Sequence, residues 1–409
     1  MKKIILLLFV PLSIFSQATD NEIFWNSNFH FESNSINRNI ISNLSDDNTI
    51  TNQMIDNWLN SSTSEYNIIH SEILNGLDYK FFVKKMHFGL SISDNNILNT
   101  KFTDDLIKLA FKGNYFYQDQ QLDFGGSNFR ASRFQQYKFI FGKKFNNYII
   151  SSGISYLSGN HHLSYIINEG TLFTAPYGSH LDILYNMNAF VTDTSEFTLF
   201  ANNGNGFAFD FSAEFKIQKS NVLFSISDLG FINWNKSSVI LDADSTFNFS
   251  GILIDDIFNF NDSILENTFI TDLPNTKNNT FKSYIPATVN LTVNSTSKYK
   301  YFKNYSFGII AKWYPYMDDT PLSFLKINQG FKQSNFKNLY FINSIIKTKY
   351  CDLIPKLSHG GYSKDTDLGL ALAKGKKNKL ILGTYNLLDL INNNDANSLS
   401  IYINLTKHF

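Results

Sequence analysis

Long segments in which apolar and polar side chains strictly alternate constrain this chain more than any other feature. Over residues 207–217, one set of positions carries Phe207, Phe209, Phe211, Ala213, Phe215 and Ile217, and the other carries Ala208, Asp210, Ser212, Glu214 and Lys216. Successive side chains of a β-strand point to opposite faces, so the segment predicts a strand with one apolar and one polar face. Soluble strands usually have about five or six residues, whereas a tilted strand that crosses a bilayer needs about ten.

The same alternation recurs along the chain, over residues 148–156, 288–294, 305–313, 368–373 and 399–409. The last segment places Phe409, the final residue, on its apolar face, and a terminal aromatic of this kind resembles the signal read by the barrel-insertion machinery. Closing such strands into a ring satisfies every backbone donor inside a bilayer. We therefore predict an all-β fold, a transmembrane antiparallel β-barrel of about fourteen strands, with short helices in the N-terminal segment and in the loops.

Composition agrees with a barrel and excludes several other classes. Aromatic residues make up 16% of the chain and charged residues only 17%, below the roughly 25% typical of soluble domains. Barrels place aromatic side chains in girdles at both membrane interfaces. The net charge is zero, so no basic face for nucleic acid is predicted, and the single cysteine, Cys351, cannot form an internal disulfide.

The N-terminus has the pattern of a secretory signal peptide. Lys2 and Lys3 precede a short apolar run, and Ser16 is a small residue before a polar one. We predict cleavage after Ser16, which makes residues 1–16 the signal peptide. The apolar run is too short to span a bilayer as a helix, and the rest of the chain has no run of about 18 apolar residues. These features predict export to the outer membrane.

Two further segments do not follow the strand pattern. Residues 17–77 are rich in Asn and Ser, with a helix predicted near residues 52–59. We therefore predict a non-barrel N-terminal segment over 17–77, either a plug or a periplasmic segment, and a barrel over 78–409. Residues 235–282 are predicted to form an inserted polar loop that includes a helical piece at 254–265.

The polar face of the segment 207–217 supplies the first candidate site. Asp210, Glu214 and Lys216 share that face, so they could line a conducting lumen. They could equally form an internal salt-bridge network that packs the barrel, because barrel lumens are generally polar. Both interpretations remain open at this point.

Residues 228–234 supply the second candidate site, at the rim of the barrel. One interpretation is a binding feature for a ligand or partner. The other is structural: Gly230 would permit a bulge or tight bend, Asp228 would bond nearby backbone amides, and Trp234 would anchor at the membrane interface.

Motifs for catalysis, metals and cofactors do not emerge from the sequence. His161 and His162 are adjacent and would face opposite sides of a strand, which argues against a shared metal. No Gly-x-Ser-x-Gly elbow or phosphate-binding loop is present. We therefore predict no catalytic residues, no metal, no cofactor and no enzymatic activity, although a Ser/His cluster formed in space would be an alternative.

An ordered series of motifs resembles a known family. The series comprises residues 102–114, in which Thr103 caps a predicted helix that ends at Gly113 and Asn114, then residues 122–125, 156–159 and 205–210, and finally Asp-Leu-Gly-Phe-Ile-Asn-Trp at 228–234. It resembles a Bacteroidota outer-membrane family, the domain-of-unknown-function family numbered 5723. More loosely, it is similar to the FadL-like barrels, including those associated with type IX secretion. The resemblance implies an outer-membrane barrel of about fourteen strands, and it implies no activity or catalytic residues.

Three functions are compatible with such a barrel, and outer-membrane lipid would surround it in each. The first, by analogy with the fold alone, is passage or binding of small hydrophobic molecules. The second is a non-conducting scaffold or partner protein of a secretion or surface machine. The third, which we do not expect, is a barrel enzyme.

Overall fold

The computed structural model describes residues 21–45, 50–62, 64–192, 198, 201–249, 275–296, 299, 302–313, 335–391 and 396–409. The predicted signal peptide at 1–16 and the helical piece predicted at 254–265 lie outside these residues. The strands are β1 (Glu22–Ser33), β2 (Asn67–Val83), β3 (Met86–Phe102), β4 (Gln121–Asp123), β5 (Asn128–Lys144), β6 (Tyr148–Thr174), β7 (Leu181–Val191), β8 (Gly204–Ile217), β9 (Ser220–Trp234), β10 (Val239–Phe249), β11 (Asn275–Asn278), β12 (Lys282–Ile285), β13 (Ala287–Thr296), β14 (Phe302–Trp313), β15 (Lys337–Lys347), β16 (Asp352–Gly361), β17 (Thr366–Lys374), β18 (Asn378–Thr384) and β19 (Ser398–His408). The helices are α1 (Arg38–Ser45), α2 (Asn52–Ser61), α3 (Asp104–Lys112) and α4 (Leu387–Ile391).

Fourteen of these strands pair in one closed antiparallel ring, which confirms the predicted fold class and strand number. The order around the ring is β1-β2-β3-β5-β6-β8-β9-β13-β14-β15-β16-β17-β18-β19. The ring closes between β1 and β19, where Glu22 pairs with His408 and Glu32 pairs with Ser398. Closure leaves the ring without an exposed sheet edge.

The predicted boundary of the barrel at residue 78 is wrong. Strand β1 pairs with both β2 and β19, and β2 begins at Asn67, so much of the segment 17–77 belongs to the ring. The alternation in β1 is hidden in the sequence, because polar Ser27 interrupts the outward series formed by Trp25, Phe29 and Phe31.

The two ends of the barrel differ, and we call them the turn end and the loop end. The turn end carries short connections, such as those between β2 and β3 and between β8 and β9. The first described residue and the last one lie together there, because the backbone N–H of Phe409 donates to the carbonyl of Asn21 at 2.9 Å. The loop end carries the long connections, including α1 and α2 between β1 and β2, α3 between β3 and β5, and α4 between β18 and β19.

The helices α1, α2 and α3 pack together at the loop end. Their buried side chains include Ile40, Trp58 and Ile107, and these pack against Ile69 of β2 and Phe102 of β3. Ile69 and Phe102 occupy the positions of their strands that alternate outward. The helices therefore cover the outer surface of the wall, so the plug interpretation is wrong for them. No helix among the described residues is long and apolar enough to cross a membrane.

The wall rises beyond the ring on one side of the loop end. The second half of β6 pairs with β7, β7 pairs with β10 along its whole length, and β10 pairs with β11. Part of the predicted polar loop at 235–282 is therefore strand, because β10 and β11 lie within it and β12 begins at its last residue, Lys282.

The outward face of the ring carries an apolar band. On β3 the outward positions Leu90 and Ile92 are about half exposed, as are Phe207 and Phe209 on β8. Further exposed apolar side chains of the band are Leu77, Tyr137, Phe139, Phe141, Ile154, Leu291, Phe307, Tyr340, Ile342, Leu382, Ile401 and Leu405. Large apolar side chains are therefore exposed on the outside of the ring, whereas the inward positions carry the polar candidates predicted on β8.

Candidate functional site in the lumen

The polar face predicted on β8 points into the lumen. Asp210 takes part in an ion cluster with residues of two other strands, because the ammonium of Lys138 on β5 lies 2.8 Å from Oδ2 of Asp210 and 3.3 Å from Oδ1 of Asp228 on β9. Gln136 donates from Nε2 to the same Oδ1 of Asp228 at 2.8 Å. Strands β5 and β9 are three positions apart in the ring, so the cluster crosses part of the lumen.

The other two candidates on β8 stand apart from this cluster. Glu214 lies at an inward position and is partly buried, and Lys216 is exposed near the turn end. The Lys216 backbone N–H donates to the Asn147 carbonyl at 2.7 Å. Asp210 therefore belongs to an internal ion network as one interpretation expected, and its charge is balanced by Lys138 rather than by Lys216.

A β-bulge aims Asp228 into this cluster. Two residues of β9, Ser227 and Asp228, face the single residue Asp210 of β8, and Asp228 has a φ of 61°, a conformation that a non-glycine residue rarely adopts. The carboxylate of Asp210 accepts the backbone N–H of Asp228 at 2.7 Å. The sequence had suggested a bulge or tight bend at Gly230, but the bulge lies at Asp228. Gly230 instead allows β9 to approach β8 closely, since a Cβ there would overlap the backbone of Phe207.

Trp234 lies inside the barrel and is 0% exposed, so the prediction of a membrane-interface anchor is wrong. Its indole Nε1 donates to Oγ of Ser283 at 2.8 Å. The indole is surrounded by an apolar layer of buried side chains. Its members are Phe134, Leu157, Phe190, Ala208, Ile232, Phe281 and Ile285. Gly230, Ile232 and Trp234 are two residues apart, so the sequence places them on one face of a strand. The sequence alone does not indicate that this face points into the barrel.

Contacts between opposite walls span the lumen at a second place. Nζ of Lys312 on β14 lies 3.7 Å from Oε2 of Glu72 on β2. These strands are seven positions apart in either direction around the ring of fourteen, which is as far apart as two strands can be. Nδ2 of Asn335, just before β15, donates to Oδ1 of Asn99 on β3 at 2.7 Å, and this pair is also seven strands apart.

Aromatic rings and buried carboxylates surround the Lys312–Glu72 pair. The imidazole of His70 stacks on Tyr362 with ring centroids 3.7 Å apart, and Nζ of Lys312 lies 5.2 Å from the centre of the same tyrosine ring. Tyr362 is in the connection between β16 and β17, and its backbone N–H donates to Oε2 of Glu32 at 2.8 Å. The connection is therefore held against β1 and β2 inside the wall.

Ionisable groups in the loop-end connections are perturbed by burial. Burial raises the pKa of Asp389 in α4 and of Asp365 in the turn before β17 above the usual carboxyl range. Burial also raises the pKa of the Tyr385 phenol, which precedes α4. Each shift disfavours the charged form, as expected where water is partly excluded.

A cavity of about 510 Å³ occupies the lumen between these contacts and the turn end. Its lining combines charged and polar inward side chains, among them Glu22, Asp78, Lys80, His87, Gln136 and Asp228. Inward glycines make the space, since a Cβ at Gly89 would lie 3.2 Å from Cβ of Ile140, and a Cβ at Gly142 would overlap the imidazole of His87. The cavity can therefore accept a small polar molecule.

The two histidines considered as metal ligands are separated by the wall. His162 is buried on the inside, with its ring nitrogens 2.8 Å from Oγ of Ser132 and 2.9 Å from Oγ of Ser164, whereas His161 lines a groove on the outside. Among the described residues no group of three His, Cys, Asp or Glu side chains could hold a metal ion.

The cross-lumen residues Glu72, Lys312, His70 and Tyr362 escaped the sequence analysis. Each lies on a separate strand or turn except His70 and Glu72, whose spacing of two places both on one face of β2. That spacing was available as a signal, but the partner on β14 follows only from the closed ring.

Several proteins of known structure have a similar fold. The structure is similar to a TodX deltaS2S3 mutant described as a monoaromatic hydrocarbon channel, with a TM-score of 0.47 and 7% identity over 97% of this chain and 92% of that one. It is also similar to the Ralstonia pickettii toluene transporter TbuX, with a TM-score of 0.44 and 7% identity over 95% of this chain and 90% of that one. The translocator domain of the autotransporter NalP from Neisseria meningitidis gives a TM-score of 0.37 and 5% identity over 96% and 90%. Similarities at this level do not indicate what this chain binds.

No curated protein matches the chain. The sequence profile of the family of unknown function DUF5723 matches residues 22–347, a span that begins at the first strand of the ring and ends with β15. The chain therefore belongs to the family of unknown function DUF5723.

Proposed function

We propose that this chain is an exported outer-membrane protein whose apolar band lies in the bilayer. The height of the band supports this location. On β3 the exposed outward apolar positions end at Ile92 and are followed by Asp94, whose carboxylate accepts hydrogen bonds from Arg133 at 3.1 Å and Gln135 at 2.9 Å. From Met86 to Asp94 the strand is roughly 26 Å long, which a tilt of about 40° turns into a height of roughly 20 Å, close to the roughly 25 Å of the apolar band of outer-membrane barrels.

Within the membrane, the protein acts as a closed scaffold that holds its loop-end segments for a binding partner, rather than as an open pore. The observation that carries this proposal is the contact between opposite walls, Lys312 with Glu72. Together with the apolar layer around Trp234, it leaves the lumen blocked where an open channel would need water. The partner is expected at the loop end, where the three helices and the extended wall stand above the band.

An efflux assay tests the proposal. Proteoliposomes containing the full chain would be loaded with a small sugar and a fluorescent dye, and release would be followed against empty liposomes and against liposomes with a general porin. We expect release at the rate of empty liposomes. Release at a rate near that of the porin, from protein shown to be folded by its heat-dependent gel mobility, would contradict a closed scaffold.

Passage or binding of a small molecule is the second candidate, and the cavity near the turn end favours it. Passage of hydrophobic molecules would require an apolar path, and the lining of the cavity is instead polar and charged at Asp78, Lys80 and His87. We therefore infer binding of a polar molecule from the turn end. Gentle detergent purification with mass spectrometry of bound molecules tests this. A reproducible hydrophobic compound would favour passage, whereas a stoichiometric protein would favour the scaffold.

A further inference from the structure

Exposed lysines gather at the turn end of the barrel, and we call them the basic ring. Almost every described short connection contributes at least two. The twelve exposed members are Lys84, Lys85, Lys143, Lys144, Lys216, Lys219, Lys347, Lys349, Lys374, Lys376, Lys377 and Lys407.

The described residues do not neutralise the basic ring through ion pairs. None of the twelve ammonium groups lies within ion-pair distance of a carboxylate among the described residues. The nearest carboxylates by position are Glu22, Glu214 and Asp352, which are partly buried, and Glu22 lies 3.9 Å from His408. The chain as a whole has no net charge.

The opposite charge lies at the other end. Carboxylates of the loop end include Asp56, Asp105, Asp119, Asp123, Asp182, Asp242, Asp244, Asp365 and Asp389. At the loop end lysines accompany these acids, and Lys112 and Lys108 pair with Asp56 and Asp105. The basic ring therefore gives the turn end a local positive charge, which the zero net charge of the sequence conceals. A localised cationic surface of this kind attracts anionic surfaces even where the whole molecule is neutral.

Geometry places the basic ring at the edge of the apolar band. Lysine ammonium groups lie over aromatic rings of the same end: Lys143 over Phe145 at 5.3 Å, Lys349 over Tyr350 at 5.4 Å and Lys407 over Phe409 at 4.9 Å. Aromatic rings prefer the depth of lipid headgroups, and lysine stems lie along apolar surface while the ammonium reaches the polar layer.

We propose that the basic ring binds the phosphates of anionic phospholipids in the leaflet at the turn end. The inference rests on the membrane insertion proposed above. A lipid leaflet fits better than a soluble acidic protein, because the lysines come from described turns all along the rim instead of forming one patch. Juxtamembrane lysines strengthen association with anionic lipid by roughly fivefold each.

Lipid retention by the purified full chain tests the inference. The protein would be titrated in mild detergent with phosphatidylglycerol or with phosphatidylcholine, and bound lipids would be counted by native mass spectrometry. We expect preferential retention of phosphatidylglycerol, lowered at least about fivefold by the double variant Lys84→Gln with Lys85→Gln. The matched control is Lys236→Gln with Lys364→Gln at the loop end, which should retain lipid as the wild type does.

The outcomes separate this inference from the proposed function. Equal retention of the two lipids by the wild type would overturn the inference, as would equal losses in the turn-end and loop-end variants, or a preference that the turn-end variant keeps. If the inference failed while the wild type still folded and inserted in liposomes, membrane location would stand. Failure of a correctly folded barrel to enter liposomes would instead refute the proposed location.

Discussion

Adding one methyl group at Gly159 should destabilise the barrel by overpacking Trp234. A Cβ at this position would lie 2.5 Å from Cζ3 and 2.7 Å from Cη2 of the indole, and 2.9 Å from Cγ2 of Ile232. The indole cannot move away freely, because it is fully buried and Oγ of Ser283 accepts its N–H at 2.8 Å. Overpacking of a closed core costs about 1–3 kcal/mol.

The assay is equilibrium unfolding of the protein in lipid or detergent, monitored by tryptophan fluorescence and by heat-dependent gel mobility. Gly159→Ala is compared with Ser158→Ala, which alters the neighbouring outward position on the same strand. Replacing Trp234 by Phe shortens the side chain at the point of overlap. The double variant Gly159→Ala with Trp234→Phe should therefore lose less free energy of unfolding than the two single variants lose together. Such coupling is the expected sign of direct contact.

A free energy of unfolding for Gly159→Ala within about 0.5 kcal/mol of the Ser158→Ala control would refute this reasoning. Additive effects in the double variant would do the same, because they would mean that the methyl group and the indole do not meet. Either result would remove Trp234 from the lumen and with it the apolar layer.

Three further predictions concern charge and capping. Lys138→Met should lower the free energy of unfolding by about 2–4 kcal/mol, because it leaves Asp210 and Asp228 without their shared cation, and Asn at both acidic positions should recover most of the loss in urea titrations. Thr103→Ala should cost about 1 kcal/mol in the same titrations, since the hydroxyl caps α3 at the N–H of Leu106; recovery by Ser but not by Val would confirm the cap. Asp389→Asn should stabilise the protein at neutral pH but not at a pH below the ordinary carboxyl range. The pKa of Asp389 is raised by burial, so folding favours its neutral form and stability falls as pH rises through the folded pKa. An equal gain at both pH values, measured by urea midpoints, would count against burial as the cause.

The strand content and closure of the barrel could be predicted because period-two alternation is local. Each of the segments around Phe207, Leu291 and Ile401 shows its own face pattern without knowledge of any partner. The final strand is clearest for this reason, and the prediction of about fourteen strands agrees with the ring. Strand β1 was missed because Ser27 and Asn75, which pair with each other across β1 and β2, place polar groups on the outward face.

The site was harder to predict because its contacts are non-local. Asp210 and Asp228 were identified on polar positions, but the cation that joins them is Lys138. Lys138 lies 72 residues before Asp210, and no local sequence pattern connects the two positions. Trp234 lies at the end of its strand, where an indole could equally have faced lipid. Its inward direction follows from the register of β9 against β8, which the bulge at Asp228 shifts by one residue.

The contact between opposite walls is the central claim, and thiol cross-linking tests it most directly. In a Cys351→Ser background, Glu72→Cys with Lys312→Cys would be treated in native membranes with a short bis-maleimide, because two cysteine side chains are shorter than the glutamate and lysine they replace. We expect an intramolecular cross-link that alters the gel mobility of the unfolded chain. The matched pair Asn75→Cys with Lys312→Cys should not cross-link, since Asn75 faces outward. Absence of a cross-link in the first pair, with both thiols shown to react singly, would contradict a lumen closed by its own walls.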